Sequence, residues 1–141
     1  MVAAATDDDH DGCVNAAERF LAASRAHDIE RAAAELAKDV VMLNPATDSP
    51  LVGQEAVAEA LRVVEEACGE FRHTHLLADT SASDPTVFGL VFEARVGEES
   101  LQGVDLIQLD EHDRIRAFTV MARPLPALMA LGARMSSRHQ P

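Results

Sequence analysis

The 141-residue chain has no tryptophan and no tyrosine, five phenylalanines, two cysteines, and half as many basic as acidic residues, 12 against 24. Each scarcity excludes something. Without tyrosine no mechanism that needs a phenol is available, and five phenyl rings make a poor platform for stacking bases or sugars. Cys13 and Cys68 match no C-x-x-C pattern and are too few for a disulfide framework, so they read as small apolar residues on helices. A net charge of −12 repels phosphate, which argues against nucleic acid and against an anionic membrane surface. No apolar run approaches the about eighteen residues of a membrane span. The opening MVAAATDDDHDG lacks the basic flank and apolar stretch of a secretory signal. A soluble, cytoplasmic chain is expected.

What is present is enough for one domain: 48% of the residues are of the AVILMFWYC class, sufficient to bury a real core. Residues 1–12, with Asp7, Asp8, Asp9 and Asp11 around His10, have almost nothing to bury and read as a disordered acidic N-terminus. Residues 13–126 read as the domain, and 127–141 as a short C-terminal helix and tail. Helical spacing of Val14, Ala17, Phe20 and Ser24 predicts a first helix up to about His27. Asp28 caps a second, with Ile29, Ala33, Leu36 and Ala37 on its buried face. The run VVMLN (40–44) reads as a strand, and the stretch PATDSPLVG, with two prolines and a glycine, as an ordered loop. Gln54 opens a third helix with a stripe of Val57, Leu61, Val64 and Cys68, closed by Gly69. Four strands then follow, 71–79, 86–96, 101–109 and 114–122, joined by turns short enough to imply an antiparallel meander. The order predicts an α+β fold with three helices packed in a cone against a strongly curved, mainly antiparallel sheet.

Two stretches carry a resemblance. VVMLNPATDSPLVGQEAV resembles the strand, proline loop and helix start of the nuclear transport factor two-like superfamily, and VDLIQLDEHDRIRAFTVMARPL resembles its two closing strands. The likeness spans about residues 14–126 and looks closest to the SnoaL-like polyketide cyclase and ketosteroid isomerase branches. It implies a cystatin-like α+β barrel with a pocket for a small hydrophobic molecule. The isomerase branch implies a carboxylate base before the loop proline, a phenol on the first helix and a protonated Asp on the penultimate strand. Here those positions hold Asn44, Phe20 and Asp105. An amide cannot abstract a proton and a phenyl ring cannot donate one. The epoxide-hydrolase branch implies an arginine two residues before its inward Asp, where this chain has Gly103.

Strand alternation independently puts Leu101, Gly103, Asp105, Ile107 and Leu109 on one face, so Asp105 is a carboxyl among apolar neighbours, with a raised pKa expected if that face turns inward. His73 and His75 alternate onto one face with Phe71, Leu77 and Asp79, and parity alone leaves open whether that face is inside. As i, i+2 histidines they supply two metal ligands with no third in sight, so no metal is expected, and no organic cofactor either. Asp105, His73 and His75 are the candidate catalytic residues. Phe20, Met42, Asn44, Val64, Phe92, Phe118 and Val120 are the candidate ligand-binding residues. Met121 joins the core candidates. Arg123, before Pro124, is a weaker candidate for holding an anionic substrate at the cone mouth. Val87, Val91, Val104, Leu106, Ile115, Ala117 and Thr119 give the other sheet face apolar patches, which predicts a homodimer through that face. Three functions compete: an acid/base isomerase, cyclase, dehydratase or hydrolase centred on Asp105, a non-catalytic binder of a hydrophobic molecule, and a dimeric scaffold.

Overall fold

The computed structural model describes residues 14–138. The acidic stretch 1–12 and Cys13 lie outside them. Helix α1 (Ala16–Arg25) opens with a capping box: the Asn15 side chain accepts from the Glu18 amide and the Glu18 carboxylate accepts from the Asn15 amide. Asp28 caps α2 (Ile29–Ala33) by accepting from the Arg31 amide. The second helix stops earlier than its hydrophobic spacing predicts. Leu36 and Ala37 belong to strand β1 (Leu36–Asn44), because tertiary partners consume the carbonyls that a longer helix would use. Gln54 donates to the Ala33 and Leu36 carbonyls, Arg114 to that of Ala34, and the Ile115 amide to that of Glu35. Helix propensity is the weaker term when such partners are at hand.

The stretch expected to be a loop is instead strand β2 (Thr47–Val52), turned at Pro45-Ala46 and paired antiparallel with β1. Pro50 is tolerated because β2 is an edge strand, where a missing amide costs no ladder bond. Helix α3 (Gln54–Ala67) follows. Its C-cap, Cys68, is extended, so Gly69 begins the next strand rather than closing the helix. Strands β3 (Gly69–Ala78), β4 (Val87–Val96), β5 (Glu99–Leu109) and β6 (Ile115–Arg123) form the expected meander, and helix α4 (Leu125–Arg138) ends the described chain. The sheet order is β2-β1-β6-β5-β4-β3, antiparallel throughout except for the parallel β1–β6 pair. This is the α+β fold with a curved, mainly antiparallel sheet that the sequence predicts; the sheet is unclosed and has six strands, β2 being the one added to the expected five.

Two apolar clusters fill the concave side. One joins α1, α2, α3 and β1 to Leu90, Ile107, Ile115 and Phe118. The other joins Phe92, Ala94, Val96 and Leu101 to Cys68 and to Ala127 of α4. A fully buried side chain such as Phe118, Leu36 or Ile107 contributes ~2 kcal/mol. Two positions depart from simple alternation. Ile115, expected on the outer face, is fully buried, because the β5–β6 register slips between Gln108 and Leu109. Met121, expected in the core, is 46% exposed, on the outer face with Ala117 and Thr119. No helix among the described residues is long and apolar enough to cross a membrane.

Candidate functional site

Where the two clusters meet, with Val120 packing on both, the concave side holds a cavity of about 370 Å³. Its wall comes from every layer: Met42 and Asn44 of β1, Leu61 and Val64 of α3, Phe71 of β3, Phe92 of β4, Asp105 of β5, Val120 of β6, and the inner side of α4. Almost all of that wall is hydrocarbon, and among the described residues Asp105 is its one ionisable side chain. Asn44 stands at the β1–β2 turn, where its side-chain oxygen accepts from the Ala46 amide.

Asp105 is buried and raised above the ordinary carboxyl range, mainly by desolvation, while the nearby imidazole of His73 pulls it down. The Nε2 atom of His73 lies 3.6 Å from Oδ2 of Asp105, an ion-pair distance rather than a hydrogen bond, and is otherwise buried without a partner. On the opposite side of the ring, Nδ1 meets Ser24 Oγ of α1 at 3.4 Å. The flanks of the ring are aromatic: Phe71 at 5.3 Å and Phe92 at 6.3 Å, both edge-on, and these two rings stack on each other at 4.9 Å.

His73 and Asp105 sit on strands separated by β4, so something must clear the space between them. Gly103 does this indirectly. A Cβ at Gly103 would stand 2.5 Å from Phe92 Cζ and clash with the Met121 carbonyl oxygen. The Phe92 ring therefore occupies the volume above Gly103. This is the position where the epoxide-hydrolase resemblance would place an arginine, and the ring leaves no room for one.

The structure separates the sequence candidates. Asp105, Met42, Asn44, Val64, Phe92 and Val120 all face the cavity, with His73 behind Asp105. His75 does not join them. A bulge between His73 and His75 breaks the alternation, so His75 pairs with Val91 on the outer face, is exposed, and bonds Thr74 at 2.9 Å. Phe20 and Phe118 are core residues, packed edge-to-face at 5.5 Å, and do not line the cavity. Arg123 is exposed on the outer face, 3.4 Å from Gln102, rather than at the cavity mouth. Sequence reasoning missed Phe71, Ser24 and the α4 residues Leu125, Leu128, Met129 and Met135. The apolar run 127–135 was the available signal for all of the last group but Leu125.

Two wider surface grooves are weaker candidates, because each is lined largely by exposed charged and polar side chains, some of them already paired. In the outer-face groove Arg72 meets Glu93 at 2.7 Å. Between α2 and α3, Arg62 meets Glu30 and Glu59, each at 3.1 Å. Among the described residues no three His, Cys, Asp or Glu side chains are grouped to hold a metal. Cys68 is buried, which pushes its thiol up to about 11 and away from nucleophilic use at neutral pH.

Comparison with known proteins gives the same frame. A steroid delta-isomerase from Pseudomonas aeruginosa is 32% identical, with a TM-score of 0.80 over 87% of this chain and 88% of its own. A protein of cystatin-like fold from Silicibacter pomeroyi is 30% identical, with a TM-score of 0.78 over 87% of this chain and 84% of its own. A nuclear transport factor two-like protein of unknown function from Burkholderia pseudomallei, 14% identical, shares the fold with a TM-score of 0.64 over 82% of this chain and 94% of its own. No curated protein sequence is significantly similar to this one. The model of the SnoaL-like domain matches residues 17–118, most of the sheet and the first three helices. The chain thus belongs to the SnoaL-like family of the nuclear transport factor two-like superfamily.

Proposed function

We propose that the cavity takes a small, lipophilic, uncharged molecule carrying one polar oxygen, and that Asp105 with His73 performs acid/base chemistry on it. The observation that carries this reading is a buried carboxyl, raised by desolvation, facing an otherwise apolar cavity with an imidazole nitrogen 3.6 Å behind it. A protonated Asp105 donates a hydrogen bond to a ligand carbonyl or hydroxyl, and His73 is placed to receive or return the proton. Isomerisation, cyclisation, dehydration and hydrolysis all fit such a pair, with neither metal nor organic cofactor. The likeness to a steroid delta-isomerase supports the isomerase option. The base would have to be His73 or Asp105 itself, because the base position before the loop proline holds Asn44, an amide.

The second reading is a binder without catalysis, favoured by that same amide at Asn44. The open cavity favours either over a scaffold alone. We also propose a homodimer through the outer sheet face and cytoplasmic residence. The test is displacement of an apolar fluorescent dye by fused-ring ketones, followed by NMR of deuterium exchange at the carbon next to the ketone. Binding with exchange that Asp105→Asn abolishes supports the enzyme. Binding without exchange supports the binder, and no displacement overturns both.

A further inference from the structure

We infer that Ser24 is a positioning residue for the His73–Asp105 pair: its hydroxyl accepts from Nδ1–H of His73 and so holds the tautomer whose Nε2 lone pair faces a carboxyl O–H of Asp105. The inference rests on the reading of that pair given above.

The ring of His73 has two polar outlets. Nδ1 faces Ser24 Oγ at 3.4 Å and Nε2 faces Asp105 Oδ2 at 3.6 Å, while Phe71 and Phe92 approach from the flanks. The charged groups beside the residue are Asp105 from β5 and Arg25 from α1, whose guanidinium donates to the His73 backbone carbonyl at 3.4 Å. That second bond ties the end of α1 to β3 and holds Ser24 over the ring.

A neutral imidazole has one N–H and one lone pair, whereas a hydroxyl both donates and accepts. If Ser24 accepts from Nδ1–H, the Nε2 lone pair faces Asp105 and is matched by a protonated carboxyl, leaving the pair neutral. If Ser24 donates to Nδ1, the N–H points at Asp105 and is matched by a carboxylate, leaving the pair negative. The Asp105 side chain is 9% exposed and set among hydrocarbon, so the neutral arrangement is favoured. Ser24 thus acts as acceptor and the proton resides on Nδ1. Helical spacing put Ser24 on the inward stripe of α1, but no local pattern reveals its partner, which is 49 residues away.

The experiment is two-bond ¹⁵N–¹H NMR of the His73 ring in the free protein near neutral pH, for the natural chain, Ser24→Ala and Ser24→Thr. Alanine is the better helix former, so the fold survives, which circular dichroism checks. The natural chain should show mainly the Nδ1–H form. Ser24→Ala leaves a buried N–H without an acceptor and should lower the ratio of Nδ1–H to Nε2–H by about threefold or more. Ser24→Thr, which keeps the hydroxyl, should restore it. A ratio that alanine leaves unchanged, an alanine shift shared by threonine, or a natural chain mainly in the Nε2–H form overturns the inference. The measurement needs neither ligand nor turnover, so failure of the ligand-binding reading leaves its result standing.

Discussion

The imidazole of His73 and the carboxyl of Asp105 approach to 3.6 Å across an intervening strand, with side-chain exposures of 2% and 9%. Neither has another strong partner on the facing side, which distinguishes the contact from an ion pair that staples two strands. A structural pair gains from full hydrogen bonding, and leaving one buried group short is costly. The pair is therefore left short of full hydrogen bonding where Asp105 meets the cavity.

Asp105 should report its burial through pH. Its folded pKa lies above the ordinary 3.8, so its contribution to stability is fully present below about pH 3.8 and is lost as pH rises through the folded value. Asp105→Leu should remove that pH-dependent part and be at least as stable as the natural chain at pH 7. Carboxyl titration by NMR with melting curves of both proteins checks this. A titration at or below 3.8 together with a strongly destabilised leucine variant would identify a charge-paired structural residue.

The two histidines should behave oppositely. His73→Leu should weaken binding of a carbonyl-bearing ligand several-fold and shift the Asp105 titration upward, since the imidazole pulls it down. His75→Leu should leave both unchanged, because His75 is exposed on the outer face. An effect of His75→Leu on the Asp105 titration would contradict the bulge at Thr74.

Gly103→Ala should cost about 1–3 kcal/mol by overpacking, since its Cβ has nowhere to go but into Phe92 and the Met121 carbonyl. Urea unfolding measures the loss. Displacement of the Phe92 ring should also alter ligand affinity, and a variant as stable as the natural chain would show that both the ring and the Met121 backbone give way.

The outer sheet face exposes Val41, Leu43, Leu77, Leu106 and Met121, each at 37% or more. If two copies pair there, Leu106→Lys should yield a monomer in sedimentation at micromolar concentration, while the natural chain sediments as a dimer. A natural chain that is monomeric there refutes the pairing.

Arg134 of α4 donates to the Ala67 carbonyl at 2.8 Å, tying the helix over the cavity to the end of α3. Arg134→Gln should cost about 1 kcal/mol at most and speed ligand exchange more than it changes melting. Stopped-flow dye release reads this, and unchanged rates would show that apolar contacts alone seat the helix.

Local patterns carried a definite share of this molecule. The aspartate cap of α2, the stripe of α3 and the strict alternation from Leu101 to Leu109 depend only on neighbours in the chain. They were readable from residue types, and they put Asp105 on one strand face with apolar neighbours, while the folded sheet decided that this face turns inward. The nuclear transport factor two-like resemblance then set the fold around it. What the tertiary structure decided begins where two distant segments compete for one backbone group or one volume. Leu36 could continue a helix or start a strand, and donors from Gln54 and Ile115 settled it. A bulge turned His75 outward and kept His73 in, because the curved sheet needs an extra residue on one strand. The partner of Asp105 proved to be an imidazole two strands away, backed by a serine 49 residues earlier in the chain. Such pairings leave no periodicity to read, since they arise only when the folded sheet brings the strands together.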